Sequence, residues 1–69
     1  MNWEYLILML NSPNIEDRNL AYAIISQNIH LIEANATIII TGILNNALEH
    51  QFYNNDDELV TILNLLHEL

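Results

Sequence analysis

The side chains in this chain that could do chemistry are three histidines, nine carboxylates and a few hydroxyls. His30 and Glu33 stand three positions apart, a spacing that puts both on one helix face as possible metal ligands. Glu49 precedes His50 and His67 precedes Glu68, and such adjacent pairs point to different faces. There is no cysteine, so thiolate sites and disulfides are excluded. A metal centre would need ligands converging from separate elements, and the ordinary reading of these residues is solvent-facing polarity. Ser12 and Ser26 lack the context of an activated nucleophile. One glycine cannot build a Gly-rich phosphate loop, and no lysine is present for Schiff-base chemistry. The expectation is a non-enzymatic protein with no catalytic residues, no cofactor and no metal site.

Charge says more than motif. Nine acids against a single arginine, Arg18, give a net charge of −8. Such a chain repels phosphate, which argues against direct nucleic-acid binding and against anionic membrane surfaces. A basic protein is its electrostatic complement. Most of the acids are scattered, and only Asp56, Asp57 and Glu58 form a run. That is sparser than a nucleic-acid mimic requires, and solubility and helix starts account for the rest. As the only strong cation, Arg18 should pair with a carboxylate.

The composition is 52% hydrophobic and 14% charged over 69 residues. A chain this short buries only about 60% of its unfolded surface, so so apolar a composition points to a covering partner or to self-association. Trp3 and Tyr5 near the N-terminus, and Phe52 and Tyr53 in the second half, are candidate binding anchors, with Asp56, Asp57 and Glu58 as candidate acidic contacts. Core packing is the commoner fate of such aromatics, and Tyr22 reads as half-buried. No segment reaches the ~20 apolar residues of a membrane span. No signal-peptide pattern opens the chain, and a reduced cytoplasm fits a chain without cysteine.

The elements that must position these residues are helices. Asn2 reads as the cap of a first helix with Trp3, Leu6, Ile7 and Leu10 on one face. Asn11-Ser12-Pro13-Asn14 stops it, because Pro13 lacks an amide donor and biases Ser12 away from helix. Asn14 then caps a second helix, with Glu16 and Asp17 at the positive end of its dipole. Ser12 as cap with Pro13 at the first helical position is the alternative. Leu20, Ala21, Ile24 and Ile25 form its apolar stripe. Asn28-Ile29-His30 is a weak break that leaves a long continuous helix open, and Asn35 is a possible later cap. The third helix carries Ile38, Ile39, Ile40, Ile43, Leu44, Ala47 and Leu48. Gly42 within it costs ~1 kcal/mol relative to alanine; it marks either a close helix approach or a tolerated site. Asn55 with Glu58 reads as a capping box before a last stripe of Leu59, Ile62, Leu63, Leu66 and Leu69. The result is one all-α domain, a small bundle of four helices over about 2–11, 14–28, 31–52 and 55–68. Asn14 and Asn54 lie 40 positions apart, a period that suggests two αα-hairpins in tandem.

The run Ser12-Pro13-Asn14-Ile15-Glu16-Asp17-Arg18, with Ala21 and Ile24-Ile25, resembles the inter-helix turn and second helix of HEAT-type repeats. It is also similar to turns in short leucine-rich helical proteins of bacteria. The resemblance covers about residues 11–25. It implies stacked helical hairpins that bind protein and have no enzymatic role.

Two functions follow as expectations. The first is an acidic protein–protein interaction module, in its concrete form a phage- or mobile-element-encoded inhibitor of a basic nucleic-acid-handling defence protein. The second is a self-assembling homo-oligomeric structural or adaptor module.

Overall fold

Asparagine side chains start three of the four helices. In a computed structural model that describes residues 2–69, Asn2 Oδ1 accepts from the Tyr5 amide at 3.2 Å and opens α1, Trp3–Leu10. Asn14 Oδ1 accepts from the Glu16 amide at 2.9 Å and opens α2, Ile15–Gln27. Asn55 Oδ1 accepts from the Glu58 amide at 3.0 Å and opens α4, Asp56–Glu68. Each bond satisfies an amide that the first helical turn would otherwise leave unpaired. Helix α3, Ala34–Glu49, follows Glu33 in extended geometry with no side-chain cap. Asn35 is therefore not the cap but the second helical residue.

Asn28 settles the weak break. Its amide reaches the Ile24 and Ile25 carbonyls and its Nδ2 donates to the Ile24 carbonyl at 2.8 Å. That ends α2, and a single 3₁₀ turn, Ile29–Leu31, leads to α3. The third helix also stops earlier than its apolar pattern suggests, at Glu49 rather than near residue 52. The Phe52 amide donates to the Ala47 carbonyl at 2.8 Å and the Gln51 amide to the Leu48 carbonyl at 3.4 Å. This pairing is a Schellman stop, and it requires a left-handed residue, here Gln51 at φ 56°.

The helices close a ring. Helix α1 packs on α2 and α3 on α4, forming two hairpins, and the hairpins join through α2 on α4 and α1 on α3. First helix thus meets first helix and second meets second, as tandem hairpins require. The core lies at the centre and draws on all four helices, with Leu6 and Leu10, Ala21 and Ile25, Ile40 and Leu44, and Ile62 and Leu65 among its buried residues. Among the described residues there is no strand, and no helix is long and apolar enough to cross a membrane.

Three apolar faces differ from their sequence pattern. In α4 Leu63, expected in the stripe, is 49% exposed, and Leu65 is buried instead. In α2 the inward face runs through Arg18, Ala21, Tyr22 and Ile25, while Leu20 is 53% exposed. In α3 only Ile40 of the isoleucine triplet is buried, because consecutive helical residues turn by ~100°. Ile38 and Ile39 stay exposed. Gly42 answers to no close approach: a Cβ built there meets nothing within 4 Å.

Gly42→Ala is therefore expected to stabilise the fold by up to ~1 kcal/mol, read as a raised thermal midpoint by circular dichroism. Gln51→Gly should add about 0.5–1 kcal/mol by relieving the left-handed residue. A lowered midpoint in either variant contradicts the geometry assigned to its site.

Candidate functional site

The most concentrated chemistry in the molecule lies between α2 and α4. Arg18, one turn into α2, is 2% exposed, and Glu58, at the third position of α4, is 3% exposed. Arg18 Nε donates to Glu58 Oε2 at 2.7 Å and Nη2 donates to Oε1 at 2.9 Å, a bidentate pair. The Tyr22 hydroxyl, one turn beyond Arg18, donates a short hydrogen bond to Oε2. The Asn54 amide donates to Oε1 at 2.6 Å. Arg18 Nη1 donates to the Ser12 carbonyl at 3.0 Å, and its guanidinium carbon lies 4.7 Å from the centre of the Phe52 ring. One side chain, Arg18, so ties α2 to α4 and to the turns within each of the two hairpins.

The local sequence explains how each group arrives. Glu58 stands where a capping box would place it, but its carboxylate accepts from Asn54, one residue outside the Asn55 cap. Asp17 behaves in parallel. It accepts from the Ser12 hydroxyl at 2.8 Å, and that hydroxyl in turn accepts from the Asn14 amide at 3.1 Å. Arg18 and Glu58 are 40 positions apart, the same period that separates Asn14 from Asn54. Burial repeats with it: positions 18, 22 and 25 in α2 and 58, 62 and 65 in α4 all face inward.

These contacts set the electrostatics. Burial alone would push the Glu58 carboxyl up; the bonds from Arg18, Tyr22 and the Asn54 amide outweigh it and hold the group below the ordinary glutamate range. The hydrogen bond to Glu58 raises the Arg18 guanidinium further, against the effect of burial. Burial, then the bond to Glu58, raises the Tyr22 phenol well above 10. Four donors occupy the two Glu58 oxygens, which fills a carboxylate's acceptor capacity. Such a group has no lone pair left to take a substrate proton, so the cluster holds the fold together and offers no general base.

The sequence-derived contact residues divide. Glu58 is corrected outright: it is buried, because pairing with Arg18 and Tyr22 draws it out of water, and it cannot touch a partner. Asp56 and Asp57 stay exposed in the first turn of α4. Trp3 and Tyr53 are half-buried and pack on the core. Phe52 is 38% exposed and sits against the Arg18 guanidinium. Tyr5 is 61% exposed and stands free of the core. Tyr22 is fully inside rather than half-buried. Its bond to Glu58 spans 36 positions and has no signal in the sequence, whereas the Arg18–Glu58 separation matches the 40-residue period.

Three grooves mark the surface. One of about 390 Å³ runs between α2 and α4 and has a mixed lining, with Asn19, Ser26, Thr61, Asn64 and Glu68 beside Tyr22, Ala23 and Leu65. A second, of about 320 Å³, opens beside the first turn of α4 and is chiefly polar. The third, of about 440 Å³, lies against α1 and the first turn; Tyr5, Leu8, Met9 and Pro13 make it apolar. Among the described residues no group of three or more His, Asp or Glu side chains is placed to hold a metal ion. Compared with protein-family models, with curated proteins and with solved structures, the chain finds no match.

Arg18→Ala leaves Glu58 buried without its cation and should cost about 3–5 kcal/mol in urea unfolding, on the order of the whole stability of a chain this size. The double variant Arg18→Met/Glu58→Leu should recover most of that loss. If the double variant is as unstable as the single one, the charge pair is not the cause.

Stability should also depend on pH through two groups. Glu58 contributes fully above the unfolded glutamate value of about 4.3, and the contribution is lost as pH falls through the lowered folded value. Tyr22 contributes fully below pH 10 and loses its contribution as pH rises through the raised folded value. Tyr22→Phe should flatten the alkaline limb of a plot of urea midpoint against pH, and an unchanged limb would rule out this origin.

Proposed function

We propose that this chain is a non-enzymatic, acidic helical protein that binds a basic protein partner. The observation that carries the reading is the fate of its charges. The only cation, Arg18, is inside and neutralised by Glu58. The other eight acids, nine less Glu58, are all exposed. Outside the histidines, every charged side chain on the described surface is a carboxylate. Such a surface speeds encounter with a positive partner and rejects nucleic acid.

The apolar surface supports binding as well. Tyr5, Leu8, Leu31 and Ile38 are each more than 60% exposed. The area of 4537 Å² is close to the ~4,450 Å² expected of a folded 8.0 kDa monomer, so these side chains are exposed on a well-formed molecule. The stacking of α2 on α4 and α1 on α3 supports the HEAT-like reading, in which paired hairpins serve as a binding scaffold. In its concrete form the protein is a cytoplasmic inhibitor of a basic nucleic-acid-handling defence protein, of the kind that phages and mobile elements carry.

Self-assembly is the second reading, favoured by the same exposed apolar side chains. Two copies bring −8 each to any homotypic contact, which opposes association until salt screens it; the screening length is ~10 Å at 0.1 M. Light scattering coupled to size exclusion, at low and at high salt, separates the two. A monomer at low salt that captures basic host proteins, and releases them as salt rises, is the expected result. A salt-independent oligomer that captures nothing would falsify the partner reading.

A further inference from the structure

We infer that the groove between α1 and the first turn is the docking site, and that its occupant is a basic, amphipathic protein segment that inserts an apolar side chain there. The inference rests on the partner reading above and names the surface that reading leaves open. Tyr5 and Leu8 stand one turn apart on the outer side of α1, 61% and 70% exposed. Met9 and Pro13 join them in lining about 440 Å³ of open groove, the size range of a binding cleft. Tyrosine is among the residues enriched at contact centres. The groove between α2 and α4 is partly apolar as well, but its Tyr22 and Leu65 are buried, and the groove beside the first turn of α4 is chiefly polar; of the three, only this one is lined by large apolar side chains that are more than half exposed.

Charge complementarity selects the occupant. Asp17 lines the groove, and Glu4 and Glu16 are exposed next to its lining residues in the chain. From Asn2 to Asp17 there is no lysine, arginine or histidine. Arg18 follows directly but turns inward to Glu58. A segment with lysine or arginine flanking a leucine or phenylalanine therefore meets apolar surface beside the Asp17 carboxylate, on a stretch of chain that carries no cation. A second copy of this chain brings carboxylates to the same surface and is disfavoured.

The test uses the isotope-labelled full chain and two synthetic helical peptides. One is built of leucine and lysine; in the other every lysine is replaced by glutamine. Binding is followed by amide shift changes and calorimetry. The lysine peptide should shift amides of residues 4–17 first and bind at least tenfold more tightly than its neutral twin. Tyr5→Ala and Leu8→Ser should each weaken it about tenfold or more, while Leu63→Ser, a control on the outer side of α4, should leave it unchanged. All three side chains are about half or more exposed, so each variant is expected to fold, and circular dichroism checks it. Equal, salt-sensitive binding by all variants overturns this groove and leaves the partner reading standing. Equal binding of both peptides overturns the charge selection. Concentration-dependent line broadening that Leu8→Ser abolishes overturns the inference in favour of a second copy. No binding by either peptide overturns it as well, and capture of a basic host protein through another face would then keep the broader reading.

Discussion

A guanidinium and a carboxylate withdrawn from water hold this fold in one arrangement. Each ion is costly to bury, and their attraction offsets that cost only when hydrogen bonds satisfy the remaining polar atoms. Here the condition is met: the Tyr22 hydroxyl and Asn54 amide complete the carboxylate, and the Ser12 carbonyl takes a further guanidinium N–H. None of the buried side-chain polar atoms among the described residues lacks a partner. Pure apolar packing of Ile25, Ile40 and Ile62 would tolerate small rotations of α2 against α4. A bidentate contact does not, because its two bonds require one distance and one orientation. The pair therefore specifies the packing as much as it stabilises it.

Helix starts were the most legible feature, because capping is local chemistry. Asn2, Asn14 and Asn55 bond amides two or three residues away, within the reach of a sequence window. Together with the helical spacing of the apolar residues, they made the all-α class readable. Where no side chain marks an end, legibility falls: Glu33 starts α3 with its backbone alone, and Gln51 stops it by taking a conformation that glycine or asparagine would have advertised.

Long-range contacts were harder to read. Hydropathy puts Leu20 inside and Arg18 outside, and the structure reverses them because a carboxylate 40 positions away holds the arginine in. The need of a lone cation for a carboxylate was evident; which of nine it takes was not. Glu58 is the case where two local roles coincide, since a residue in position to complete a capping box also faces the neighbouring helix. The same ambiguity separated Tyr5 from Trp3 and Tyr53, since aromatic type alone does not distinguish an outward side chain from one packed on the core.

The internal arginine has one more consequence. The bond after Arg18 is the only peptide bond in the chain that a trypsin-like protease can recognise, since no lysine is present. It lies in the first turns of α2 with its recognition side chain held by Glu58. The protease must wait for α2 to open and the ion pair to part. Cutting at this one bond thus measures how often the bundle opens, without any label or probe.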